Sequence, residues 1–90
     1  MPTVHFDPQF EQSYKLFTKR NTKIKLKIIK TLQIFTKNQK HPSLHLEKLH
    51  GKRIWTIRID KGNRIFFIWS EKKDTAIFFL VGKHDLYKNI

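Results

Sequence analysis

Two arginines and a histidine carry the most specific chemical signal in this sequence. Arg58 and Arg64 lie on consecutive strand-like segments, RIWTIRID (53–60) and RIFFIWS (64–70). A guanidinium is permanently charged and grips phosphate with two parallel N–H groups. His84 follows an apolar run and Gly82, where the chain leaves its last strand. Imidazole titrates near neutrality and can take or give a proton. Cations that neutralise phosphate beside a proton carrier are the minimum for phosphate-ester chemistry. Exposed charges on a strand are the plain alternative for Arg58 and Arg64.

The neighbours of these residues extend the set. Asp85 can orient the His84 ring or cap a terminal turn. Tyr87 can stack on a base or donate to phosphate, and it can equally pack on the core. Glu47, Lys48, His50 and Lys52 form a second polar cluster. Read on its own, this cluster fits a solvated loop. Lys48, Lys52, Lys61 and Lys83 are the candidate contacts to a nucleic-acid backbone. His5, His41 and His45 read as strand or loop residues. No His, Asp or Glu spacing suggests a metal site, and no cofactor is expected. The Gly residues are scattered rather than gathered in a phosphate-cradling loop.

The elements that must position these groups follow from the apolar periodicity. Thr3–Phe6 reads as a strand. Asp7-Pro8 starts a helix, with Asp capping free N–H groups and Pro at the first helical position. Phe10, Tyr14 and Phe17 then form one helical face. From Thr22 to about Lys40 the period returns, with Ile24, Ile28, Leu32 and Phe35 in a stripe and Ile29 beside it. His41-Pro42 ends that helix. Leu44–Leu46 alternates weakly, 53–60 and 64–70 are clear strands, and 75–81 (TAIFFLV) is apolar enough to be covered on both faces. The expected fold is α+β within a single domain, residues 1–90. Two N-terminal helices pack on a mainly antiparallel four-stranded sheet, in the order β-α-α-β-β-β.

Register can be anticipated from the same pattern. Trp55, Ile57 and Ile59 share one strand face, as do Ile65, Phe67 and Trp69. Pairing 57 with 67 and 59 with 65 leaves the loop Lys61-Gly62-Asn63. It places Arg58 and Arg64 together on the opposite face. Pairing 64–70 with 75–81 sets Arg64 against Val81 and turns His84 to the other side. A bulge at Gly82, or an early exit from the strand, restores convergence.

Composition sets the outer limits. Nineteen Lys and Arg against seven Asp and Glu give a net charge of +12 in 90 residues. Such a field favours an anionic partner: nucleic acid, an acidic protein or an anionic surface. Eight Phe, two Trp and two Tyr argue against a disordered basic tail. Cysteine is absent, which removes disulfides, thiol catalysis and Cys-based zinc sites. No apolar run approaches a membrane span and no signal peptide opens the chain, so a soluble cytoplasmic protein is expected.

The residue order resembles the RelE/ParE toxin superfamily. The carriers are His41-Pro42, Leu46-x-x-Leu49-x-Gly51, Trp55-x-Ile57-Arg58-Ile59, Asn63-Arg64-Ile65-Phe66-Phe67 and Gly82-Lys83-His84-Asp85-Leu86-Tyr87. The resemblance spans nearly the whole chain. It implies a toxin of a type II toxin–antitoxin pair, neutralised by an acidic cognate antitoxin. A RelE-like member is a metal-independent, ribosome-dependent endoribonuclease that cuts mRNA in the ribosomal A site and also touches ribosomal RNA. A ParE-like member instead inhibits DNA gyrase without cutting RNA. For the first activity Arg64, His84, Arg58, Tyr87, Asp85, Glu47 and His50 are the candidate catalytic residues.

Overall fold

The computed structural model describes residues 2–86 of the chain. Strand β1 (Thr3–Phe6) leads into helix α1 (Pro8–Thr18) and helix α2 (Thr22–Lys37). A single 3-10 turn (Pro42–Leu44) then precedes strands β2 (Glu47–Lys48), β3 (Trp55–Asp60), β4 (Asn63–Trp69) and β5 (Thr75–Lys83). The described strands form one five-stranded sheet in the order β1-β5-β4-β3-β2. β1 runs parallel to β5, and the other neighbours are antiparallel. The α+β class with two N-terminal helices is as expected, with one strand more than anticipated.

Local chemistry explains the helix starts. Asp7 Oδ1 accepts from the Gln9 amide at 2.8 Å, with Pro8 at the first helical position. Asn21 Oδ1 accepts from the Ile24 amide at 3.1 Å. Each satisfies one otherwise free N–H of a first turn. The link between the helices passes through Arg20 in the left-handed region, φ 62°. The buried stripe of α2 is Ile24, Ile28, Thr31 and Phe35. Leu32 is only half-buried and Ile29 is exposed, so Thr31 takes the place expected of Leu32. Thr31 is tolerated there because its hydroxyl donates to the Lys27 carbonyl at 2.7 Å.

Both helices lie on one sheet face, over Ile57, Ile65, Phe67, Ala76, Phe78 and Val81. Phe35 is the hub. It meets Phe67 edge-on at 5.3 Å and Phe78 at 5.4 Å between ring centroids. The opposite face carries Arg58 and Arg64.

Two registers and one strand start differ from the sequence expectation. Ile57 pairs with Ile65 and Trp55 with Phe67, a two-residue shift. Asp60 causes it: Oδ1 accepts from the Gly62 amide at 3.2 Å and from Asn63 Nδ2 at 2.8 Å, closing a turn over Lys61-Gly62. Because side chains alternate with period two, the shift leaves residues 55–58 and 64–67 on their predicted faces, and between Arg58 and Asp60 the register slips by one residue. In β5 the strand pairing jumps across Phe79, so Arg64 lies opposite Gly82 rather than Val81. The bulge therefore sits three residues before Gly82. Leu44 belongs to the 3-10 turn, and His45 follows at φ 46°, so the weak strand expected at 44–46 begins only at Glu47.

Candidate active site

Arg58 and Arg64 are directly opposite each other on the face that the helices leave open. Arg64 is held by three groups. Its Nη1 donates to Thr56 Oγ1 at 3.0 Å and to the His45 carbonyl at 3.3 Å. Its Nη2 stands 3.6 Å from Glu47 Oε2. The Arg64 side chain keeps 20% of its surface exposed and that of Glu47 61%. An ion pair this wet contributes at most about 1 kcal/mol to stability. Its larger effect is orientation, since three acceptors fix the guanidinium plane while leaving one edge accessible.

Arg58 is anchored separately. Its Nε donates to the Asp60 carbonyl at 3.1 Å, and its Nη1 lies 3.3 Å from His45 Nε2. A guanidinium only donates, so this contact requires His45 to present its Nε2 lone pair. Asp60 also reaches Lys27 of α2, 3.7 Å away. Asp60 thus ties the turn to the helix through its carboxylate and holds Arg58 through its main-chain carbonyl.

His84 closes the other side. Its amide donates to the Gly62 carbonyl at 2.9 Å, and its Nδ1 lies 3.4 Å from the same oxygen. A carbonyl only accepts, so the geometry suits a protonated Nδ1 and leaves Nε2 outward. Gly62 is two residues before Arg64, and Gly82, two before His84, is the strand partner of Arg64. From β2 to β4 the face presents Glu47, Arg58 and Arg64, and His84 follows the end of β5 in the turn beside Gly62. A carboxylate beside two fixed cations, with an imidazole at the next turn, supplies groups that general acid–base chemistry on a phosphate can use.

The other sequence candidates are distributed differently. His50 and Lys52 lie in the β2–β3 turn, beyond the Lys48–Trp55 pair and away from Arg58. Turn closure past β2 carries that part of the cluster to the far end of the sheet. Lys48 neighbours Glu47 but, being adjacent on a strand, points to the other face. Lys61 is exposed in the β3–β4 turn beside His84. Lys83 and Asp85 line a groove along α1, with Leu16 and Phe17, so the His84 ring is held by Gly62 instead of Asp85. Tyr87 lies outside the described residues.

His45 is the residue that sequence reasoning missed. It touches both arginines, one through its ring and one through its carbonyl. No spacing signals it: His45 sits in the left-handed region at φ 46°, before β2 begins, so strand alternation does not place its side chain. Thr56 was missed as well, and nothing in a strand threonine distinguishes it before the register is known.

No family model matches the sequence, and neither does any curated protein. Solved structures do match. A YoeB/ParE toxin from Agrobacterium tumefaciens superposes with a TM-score of 0.73 at 14% identity, over 91% of this chain and 98% of that one. The chain has the RelE/ParE toxin fold. A heterotetrameric YoeB–YefM toxin–antitoxin complex from Staphylococcus aureus matches with a TM-score of 0.69 at 21% identity, over 93% of this chain and 98% of that one. The YafQ–DinJ complex from E. coli matches with a TM-score of 0.69 at 16% identity, over 93% and 94% of the two chains. At such identities the likeness establishes the toxin fold and leaves activity to the site.

Proposed function

We propose that the chain is the toxin of a type II toxin–antitoxin pair and acts as a metal-independent endoribonuclease on mRNA in the ribosomal A site. The observation that carries this reading is Arg64, oriented by Thr56, His45 and Glu47, with Arg58 opposite it and His84 on its other flank. The 2′-hydroxyl attacks the adjacent phosphorus while a base removes its proton. Glu47 fits the base, because a carboxylate is acceptor-only. Arg64 and Arg58 neutralise the charge that builds on the non-bridging oxygens. His84 fits the acid: with Nδ1–H on the Gly62 carbonyl, its Nε2–H gives a proton to the departing 5′-oxygen. The products are a 2′,3′-cyclic phosphate and a free 5′-hydroxyl, and no redox or metal step is needed. The +12 charge suits docking on ribosomal RNA and on an acidic antitoxin. The YoeB–YefM and DinJ–YafQ complexes support an antitoxin partner for this fold.

The test is expression of the chain alone in bacteria, with mRNA ends and DNA supercoiling followed together. Growth arrest with in-frame cuts inside translated messages supports the reading. Intact mRNA with relaxed or broken DNA overturns it in favour of ParE-like gyrase inhibition.

A further inference from the structure

At the end of the sheet opposite Arg64 the protein has a second concave surface, on the helix side. It is a cleft of about 540 Å³, within the usual range of small-ligand sites, roughly 300–1,000 Å³. Its rim is cationic, with Lys40 after α2, Lys48 on β2, Arg53 in the β2–β3 turn and Lys73 in the β4–β5 turn. Among the described residues none of these four is in an ion pair. Glu71 is the one carboxylate on the lining, so the cleft is strongly positive.

The back of the cleft is aromatic. Trp55 and Trp69 are half-buried and line it. Trp69 is braced from the core side by Phe67, edge-on at 5.3 Å, and by Phe35 at 6.2 Å. Rigid indoles beside unpaired cations can receive a planar base and its phosphate together. A further observation points to a ligand. Gln39 lines the cleft, and its Oε1 is the one buried side-chain polar atom among the described residues without a hydrogen-bond partner. Such an atom is uncommon in a native fold and costs stability unless a donor reaches it.

We propose that this cleft is a second single-stranded nucleic-acid site, holding an unpaired nucleotide several positions along the strand from the one at Arg64. The base stacks against Trp55 and Trp69, its phosphate lies among Lys40, Lys48, Arg53 and Lys73, and a base N–H donates to Gln39 Oε1. The choice of RNA as the strand rests on the proposed ribonuclease function. The edge segment 45–48, which ends in β2, joins the two sites: His45 and Glu47 contact the arginines, whereas Leu46 and Lys48 line the cleft. A strand leaving Arg64 reaches the cleft by crossing that edge. Lys and Arg alone would serve an acidic peptide equally well. The paired indoles and the orphaned amide oxygen favour a base.

The chain's two tryptophans are both in the cleft, so intrinsic fluorescence reports on it without any label. The probe is a short 2′-O-methyl RNA, which cannot be cut because the attacking hydroxyl is blocked. Saturable quenching is expected, with an affinity that falls steeply with salt. Exchanging Lys48, Arg53 and Lys73 together for Gln should weaken binding at least tenfold and reduce the log–log salt slope by about 2. These side chains are exposed, so an unchanged urea midpoint verifies the fold. Gln39→Leu should weaken base binding while leaving the salt slope alone. Absence of quenching, or an affinity that the triple variant leaves unchanged, overturns the proposal. So does equal quenching by an acidic peptide, which would make the cleft a protein-docking site. The readout does not involve cleavage: a chain that quenches but cuts no RNA keeps the cleft and loses the ribonuclease, and the reverse result does the opposite.

Discussion

Arg58 and Arg64 are partners across the β3–β4 pair, so two permanent cations stand side by side on one sheet face. Directly opposed like charges cost roughly 0.2–1 kcal/mol. Each guanidinium is also tethered to different acceptors, which stops the pair from splaying freely into solvent. The arrangement is unfavourable by itself and favourable around an anion.

Anions should therefore stabilise the fold. Phosphate at about ten times its dissociation constant adds roughly 1.4 kcal/mol, worth several degrees in Tm for a domain of this size. The increment over sodium chloride of equal ionic strength, measured by calorimetry, should shrink in Arg58→Gln. An equal rise in both salts would show that no specific anion site exists.

Arg64 is expected to dominate the chemistry. Arg64→Ala should lower single-turnover cleavage on ribosomes by about 10²–10³-fold, the usual effect of losing one donor to a developing anion. Arg64→Lys should recover only part of this, because an ammonium cannot hold Thr56, the His45 carbonyl and Glu47 while gripping phosphate. Full activity in Arg64→Lys would reduce the residue to a general source of charge.

Glu47→Gln and His84→Gln should each cost about 10²–10⁴-fold in rate. Their pH profiles should diverge. Removing the base abolishes the acidic limb of a bell-shaped profile, and removing the acid abolishes the alkaline limb. His50→Ala should leave the rate unchanged, since His50 lies in the turn beyond Lys48 and Trp55. Loss of the same limb in both Gln variants would contradict the assigned roles.

Phe35 should control stability rather than rate. It is fully buried and bridges Phe67 and Phe78. Phe35→Ala should cost about 3–5 kcal/mol in urea unfolding, through lost burial and the cavity left behind. For a small domain with roughly 5–15 kcal/mol of stability, that removes a large share of it.

Apolar spacing was sufficient to define the elements, because burial of one face leaves a period of two or 3.6 in the chain. Trp55, Ile57 and Ile59 announce their shared face, and Asp7-Pro8 announces a helix start. That same period explains why the two-residue error between β3 and β4 did no harm to the placement of Arg58 and Arg64. A one-residue change is different, and the bulge at Phe79 is of that kind: it brings Gly82 opposite Arg64, and no residue type near it signals this.

By itself the sequence determined the fold class, the open face carrying the two arginines and the excess of positive charge. These are local or periodic properties, written in residue types. Only the tertiary structure decided which groups meet. It joined His45 to both arginines, separated His50 from Glu47, and gathered Trp55, Trp69, Gln39 and four cations at the other end of the sheet. Such meetings depend on where a turn closes and where a strand slips by one residue. Those are set by a few hydrogen bonds, such as the ones Asp60 makes, whose energies are too small and too specific to leave a period in the sequence.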